Sequence, residues 1–265
     1  MGAAIIGMGD EIMVSGQARV AQQKNNLPVV VFDRNLRIRA HEMWANNRRI
    51  HITWDRKSAI TPIHNGPGVR PYIANKTDER WTWKDFTPPV GELYFSKDEL
   101  RFASLFPKDV IIIEPNTKHK APVNKDWGLA RWMRTAELLH KEGLRVVQMG
   151  IAGAHELKGV EFIITPWFRH ACAILAGARA AVLPEGGLHH AAAALNVPAV
   201  VVYGGFISPR QTGYELHRNI FTGGEPCGMR VPCGHCKKAM SEISPEMVVH
   251  NLMEVINERK DIPRL

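Results

Sequence analysis

Between residues 110 and 205 the chain repeats one unit: a short apolar run, a small or acidic residue, then a stretch with helical spacing. The apolar runs are Val110–Ile113, Val146–Met149, Phe162–Ile164, Ala180–Leu183 and Ala199–Tyr203. Between them, Asp126–Lys141, Phe168–Ala176 and Leu188–Leu195 read as helices, with Gly143 where a C-terminal cap belongs. Strands that are apolar along their whole length are buried on both faces, which requires helices on both sides of a parallel sheet. The pattern predicts a doubly wound α/β domain.

The first hundred residues repeat the theme less cleanly. Ala3–Ile6 is a short apolar run ending at Gly7-Met8-Gly9, followed by helical potential from Asp10 to about Lys24. Val29–Phe32 predicts a buried strand, Arg39–Asn46 a helix and Arg49–Thr53 a third strand. From Trp54 to Pro107, repeated prolines and glycines predict loops over the first sheet and then a linker, carrying the aromatics Trp81, Trp83 and Phe86. Pro245–Glu258 predicts a terminal helix. The expected organisation is two α/β lobes facing across a cleft, residues 1–107 and 108–245, with residues 246–265 as a terminal helix.

Composition bounds the classes. Apolar residues are 45% and charged residues 23% of 265, which excludes a disordered, coiled-coil or collagen-like chain. Four cysteines are too few for a disulfide scaffold, no signal peptide or myristoyl signal is expected, and no apolar stretch reaches 18 residues. The expected location is the cytoplasm. Lys and Arg number 34 against 26 Asp and Glu, a net +8, which favours anionic partners. Basic residues concentrate from Arg34 to Lys57 as Arg34, Arg37, Arg39, Arg48, Arg49, Arg56 and Lys57, a solvated face or an anion-binding one.

In open parallel sheets, ligands sit beyond the carboxyl ends of the strands. Four segments follow strand ends. Gly7-Met8-Gly9-Asp10 places a carboxylate at a helix start, as an N-cap or as a catalytic base. Glu185-Gly186-Gly187-Leu188-His189-His190 offers backbone N–H groups at a helix N-terminus, an anion site suited to a diphosphate. His190 adds a donor there, while His189 reads as a surface histidine. Asn116–Trp127 carries Lys118, His119, Lys120 and Lys125, of which one lysine suits a phosphate. Gly150–Glu156 brings Glu156 near a strand end, where it can accept from a ribose diol.

Taken together, these segments resemble glycosyltransferase family 9, the ADP-heptose:lipopolysaccharide heptosyltransferases. The stretch AILAGARAAVLPEGGLHHAAAALNVPAVVVYGG, from Ala173 to Gly205, is similar to the family's strand, its Asp-[Ser/Thr]-Gly-x-x-His turn and helix, and the next strand. NKDWGLARWMRTAELLHKEG is similar to its Lys-x-Trp-x-x-x-x-Trp helix and GMGD to its N-terminal Gly-Asp turn; TGYELH and the cysteine-bearing tail match many members. The resemblance implies a GT-B fold of two Rossmann-like lobes, here with a shortened N-terminal lobe. It also implies an inverting, metal-independent sugar transfer with no cofactor, from a nucleotide-diphospho-sugar, ADP-linked in the best-known members, to a lipopolysaccharide or other glycan hydroxyl.

Residue by residue, the resemblance implies Asp10 as general base, Lys125 as the phosphate-contacting lysine and Glu156 as the ribose-binding glutamate. It places the diphosphate turn at Gly186, Gly187 and Leu188, with the helix histidine at His190. Glu185 and Gly186 depart from the family's Asp and Ser/Thr. The chain has no Asp-x-Asp, so cationic side chains and a helix dipole take the place of a divalent ion at the phosphates. Implied partners are the nucleotide-sugar and an anionic glycan or glycolipid acceptor, with peripheral membrane contact. Two alternatives stand beside this: a transferase acting on modified DNA bases, motivated by the Arg34–Lys57 cluster, and a non-catalytic nucleotide-sugar-binding protein.

Cys227, Cys233 and Cys236 lie within ten residues with His235 among them. They are available as zinc ligands, but adjacent His235 and Cys236 rarely serve one ion, and free or paired thiols are the leading expectation. Cys172 is expected to be buried in a helix.

Overall fold

The computed structural model describes residues 7–66, 70–116 and 121–258. The strand expected at Ala3–Ile6 and the residues Lys118, His119 and Lys120 lie outside them.

Helix α1 (Met8–Asn25) is unusual for a surface helix, because Gly9 to Gly16 are buried on every side. It is followed by strand β1 (Val29–Phe32), short β2 (Ile50–His51) and β3 (Thr61–His64), which form a three-stranded parallel sheet in the order β2-β1-β3. The sequence assigned residues after Trp54 to loops, but β3 pairs with β1 in the register Val30 opposite Pro62. Proline is tolerated there because β3 is an edge strand. The helix expected over Arg39–Asn46 is only one 3-10 turn, Glu42–Trp44, in which the His41 ring accepts from Met43 N and Asn46 adopts a left-handed φ of 63°. Met43 and Trp44 are instead buried, and the Trp44 indole donates to Glu11 O at 2.8 Å.

An antiparallel hairpin, β4 (Ile73–Lys76) and β5 (Trp81–Trp83), then crosses toward the second half of the chain, and helix α2 (Lys97–Ala103) begins in a Ser96–Glu99 capping box. Neither element was expected.

The second half matches the predicted alternation. Its elements are β6 (Ile111–Ile113), α3 (Leu129–Lys141), β7 (Val146–Gly150), β8 (Glu161–Ile164), α4 (Phe168–Leu175), β9 (Ala180–Pro184), α5 (Gly187–Ala194), β10 (Ala199–Gly204), α6 (Pro209–Thr212), β11 (Arg218–Phe221), α7 (Gly234–Ser241) and α8 (Pro245–Glu258). The six strands are all parallel, in the order β11-β10-β9-β6-β7-β8. That is the doubly wound order, with its switch point between β6 and β9. β11 and α7 were missed because their segments carry charges and cysteines rather than an apolar run.

Two cores sandwich this sheet. On one face Trp132, Ala136 and Leu139 of α3 pack with Val248, Leu252 and Ile256 of α8, so the terminal helix is part of this layer. On the other face, Cys172 and Leu175 of α4 and Ala191 of α5 join Ile12, Val29 and Trp44 of the first half in one continuous cluster. The halves are therefore fused along α1–α5 and α2–α4. Arg169 of α4 locks this seam. It is buried, pairs through two nitrogens with Glu99 of α2 at 2.5 and 2.9 Å, and donates to Tyr94 O and Glu42 O. Burial raises the Glu99 carboxyl, but the Arg169 guanidinium and the Ser96 N–H lower it further, to about 2.

Within the basic stretch, Arg39 and Arg49 turn inward onto Glu11 and Glu92. Arg34, Arg37, Arg48, Arg56 and Lys57 remain exposed. No helix among the described residues is long and apolar enough to cross a membrane.

Candidate active site

The switch point places the ends of β6 and β9 side by side, and each strand runs directly into a glutamate. Beyond them lies a hollow of about 720 Å³ lined by α1, the β4–β5 hairpin, the loops after β6 and β7, and the start of α5. Asp10, Lys125, Glu185, Gly186, Gly187, Leu188 and His190 all line it. Sequence positions almost 180 apart thus share one wall-to-wall space.

Asp10 is not an N-cap. The helix begins at Met8 with Gly7 as its cap, and Asp10 sits in the first turn with 8% of its surface exposed. Its Oδ1 accepts from the Tyr72 hydroxyl at 2.5 Å and its Oδ2 pairs with Arg70 Nη2 at 3.0 Å. Each oxygen keeps a second lone pair for a substrate hydroxyl. Gly9 serves close approach rather than a turn, since a Cβ there would strike the His190 ring.

Trp127 explains why Lys125 points inward. Its indole is buried against Trp132, with ring centroids 5.0 Å apart, and donates to Ile243 O at 3.0 Å. The 3-10 turn Val123–Lys125 before it is thereby pinned, and Lys125 Nζ donates to Glu185 Oε2 across the switch point. Burial pushes the Glu185 carboxyl up, but the adjacent Lys125 ammonium pulls it further down, so it is held ionised. Lys125 keeps two further N–H donors for an anion.

At the start of α5, Gly186 N donates to His189 Nδ1 at 2.9 Å, and His189 Nε2 meets Thr212 O at 2.8 Å. His189 is therefore a fully buried capping residue, contrary to the surface position expected. Since carbonyls only accept, its proton sits on Nε2. His190 is also buried and bonds Tyr214 through Nδ1 at 2.8 Å. Burial, then His189 and Lys125 nearby, push its pKa well down. It acts as a neutral imidazole, so Lys125 and the α5 amides carry the positive potential at this wall.

Glu156 is exposed and stands just past the lining, whereas Gly150 to His155 face the hollow. Besides Asp10 and Glu185, a third carboxylate faces it, Glu114, immediately after β6. Burial raises Glu114 to about 7 despite N–H bonds to Oε1 from Asn116 N and Nδ2 at 2.7 and 2.8 Å. Strand-end logic applied two residues earlier, at Glu114 instead of Asn116, would have found it. Arg70, Tyr72, Trp81, Trp83 and Phe206 also line the space. Only the fold could bring them there, because no local pattern ties them to Asp10. Cys227, Cys233 and Cys236 do not line it; they cluster beside His235 behind the hairpin.

A six-stranded doubly wound sheet facing a smaller parallel sheet, with a hollow over its switch point, is the two-lobed α/β architecture of the GT-B class, here with a short first lobe. The sequence profile of glycosyltransferase family 9 (heptosyltransferase) matches residues 18–243, and the chain belongs to that family. No curated protein matches. Among solved structures, a family 9 glycosyl transferase from Veillonella parvula aligns over 96% of this chain and 95% of its own, with TM-score 0.64 and 15% identity. The E. coli ADP-heptose lps heptosyltransferase II aligns over 66% of this chain with TM-score 0.51 and 22% identity. The chain spans 56% of that enzyme's length.

Proposed function

We propose that the protein is an inverting glycosyltransferase that moves a heptose-like sugar from a nucleotide-diphospho-sugar, ADP-linked by family, to a hydroxyl of a lipopolysaccharide or other glycan acceptor. The observation that carries this reading is the meeting of Asp10, Lys125 and the α5 N-terminus in one hollow at the switch point.

In this mechanism the donor diphosphate lies over the amides near Gly187 and Leu188, and Lys125 shares its ammonium between Glu185 and a phosphate oxygen. The ribose diol falls to Glu156 at the rim. Asp10 takes the proton of the acceptor hydroxyl while that oxygen attacks the anomeric carbon from the face opposite the diphosphate. The bond to the diphosphate oxygen breaks, and the nucleoside diphosphate leaves with the electron pair. Lys125, the helix dipole and the neutral His190 N–H stabilise the charge that develops there. No divalent ion is needed at the phosphates. Arg70 and Tyr72 hold the Asp10 carboxylate in place for the approaching alcohol.

The test pairs turnover with donor binding. Asp10→Ala is expected to lower turnover by roughly 10²–10⁴-fold, the usual worth of a general base. It should keep the rise in Tm that the nucleotide-sugar produces in the parent protein. Unchanged turnover removes Asp10 as the base. A parent protein that neither transfers nor hydrolyses any nucleotide-sugar, yet gains Tm from one, favours a binding protein instead.

A further inference from the structure

Three thiols and an imidazole that the proposed reaction does not use converge behind the β4–β5 hairpin. Cys227 Sγ lies 3.7 Å from Cys233 Sγ and 3.0 Å from Cys236 Sγ, and His235 Nδ1 lies 3.9 Å from Cys236 Sγ. All four ligand atoms fall within 4.8 Å of one another. Sulfurs held about 2.3 Å from one tetrahedral ion stand roughly 3.8 Å apart, so the cluster has close to the dimensions of a shared site.

The hydrogen bonds around it point the same way. His235 Nε2 meets Gly223 O at 2.6 Å. A carbonyl only accepts, so Nε2 carries the proton and the bare Nδ1 lone pair faces the thiols. That is the tautomer a metal-bound histidine needs, with its outer N–H on a backbone carbonyl. The backbone N–H groups of Met229 and Cys236 donate to Cys227 Sγ and Cys233 Sγ, both at 3.4 Å, and help to orient the two sulfurs. The sequence argument against a shared ion, that His235 and Cys236 are adjacent, is met by the helix: both start α7, and their side chains close on the same point.

We propose that Cys227, Cys233, His235 and Cys236 hold one tetrahedral zinc ion that has a structural role. Three thiolates and one imidazole leave no open position, which is the signature of a structural rather than a catalytic site. The ion would fix the loop 227–236, and that loop fastens both walls of the hollow. On one side Arg80 Nε donates to Cys227 O and Trp81 N to Gly228 O, both at 2.9 Å, and Arg230 N donates to Glu79 O at 2.7 Å. Gly228 has a φ of 64°, and a Cβ there would collide with the Trp81 carbonyl. On the other side Asn124, next to Lys125, donates to Met229 O and Val231 O at 2.6 and 2.7 Å and accepts from Cys233 N at 3.3 Å.

The experiment uses the full chain and needs no turnover assay. Metal content is measured by mass spectrometry on protein purified without chelator. Protein stripped by a chelator is then titrated with zinc, and separately with cobalt(II). Close to one zinc per chain, a thiolate-to-cobalt charge-transfer band with tetrahedral ligand-field bands, and a Tm that rises on adding zinc are the expected results. Cys233→Ser and His235→Ala should each weaken zinc binding by at least about 10-fold. If those variants fail to fold, the parent's stoichiometry and cobalt spectrum decide. Failure to take up zinc, an octahedral cobalt spectrum without the thiolate band, or a different metal filling the site as purified overturns the assignment.

Discussion

The two sheets are held together by different means. In the six-stranded sheet, β6, β9 and β10 carry no charged residue and are buried along their whole length, between helices that cover both faces. In the three-stranded sheet only β1 is buried throughout, and β3 alternates between half-buried and exposed positions. That half shares the apolar cluster of Ile12, Val29 and Trp44 but also carries ion pairs within it and at its edge: Glu11 with Arg39, Asp10 with Arg70, and the half-buried Glu92 with Arg49. Apolar burial is non-directional and tolerates small changes of shape, whereas a buried charge depends on one partner in one geometry. The first half therefore depends more on particular charge partners, and it is the half that carries Asp10.

The largest effect should come from Arg39→Ala. Glu11 is fully buried, with Arg39 Nη2 at 2.7 Å and Asn65 Nδ2 at 3.2 Å. Removing the guanidinium strands a carboxylate whose pKa burial already pushes up, and a loss of about 3–5 kcal/mol is expected in denaturant unfolding. A loss under about 1 kcal/mol would erase the contrast between the sheets.

Glu114 places the same kind of frustration inside the apolar half. Its pKa rises from 4.5 unfolded to about 7 folded. Across that window the folded protein keeps a proton that the unfolded chain has released, so stability falls as pH rises and levels off above it. The fall is up to about 3 kcal/mol, from 1.36 kcal/mol per unit. Denaturant titrations below and above the window should show this slope in the parent and a flatter one in Glu114→Gln. An unchanged slope would assign the effect to another group.

Ile112→Val is the smallest test. Ile112 is fully buried in β6, and losing one methylene there should cost roughly 0.5–1.5 kcal/mol. If it costs as much as Arg39→Ala, the apolar sheet is no more forgiving than the charged one.

Much of this was legible in the residues. The alternation from Val110 to Tyr203 gave the parallel sheet, because strands buried on both faces leave an unbroken apolar run and little else does. Strand ends pointed to Glu185, Gly187 and His190, because in a parallel sheet all strand ends open on the same side, whereas only the family resemblance singled out Lys125 among its neighbouring lysines. Asp10 was pointed to the same way, after an apolar run that lies outside the described residues. The reading failed where local propensity was overridden. Arg39–Asn46 has helical composition, yet Met43 and Trp44 are drawn into the core against α1, and only the 3-10 turn Glu42–Trp44 forms before Asn46 takes a left-handed φ. His189 looked like a surface residue because nothing in a sequence shows that Thr212 O waits beside it.

The sequence alone determined the five strands between Val110 and Gly204, to within a residue at each end, and which polar groups follow them, since burial and backbone hydrogen bonding act over a few residues at a time. Only the tertiary structure decided that Arg70 and Tyr72 clamp Asp10, that Glu114 rather than Glu156 faces the hollow, and that Cys227, Cys233, His235 and Cys236 bring their side chains within 4.8 Å of one another. Those contacts join residues whose spacing obeys no local period. Their free energy comes from packing and charge partners that exist only once the chain has closed on itself.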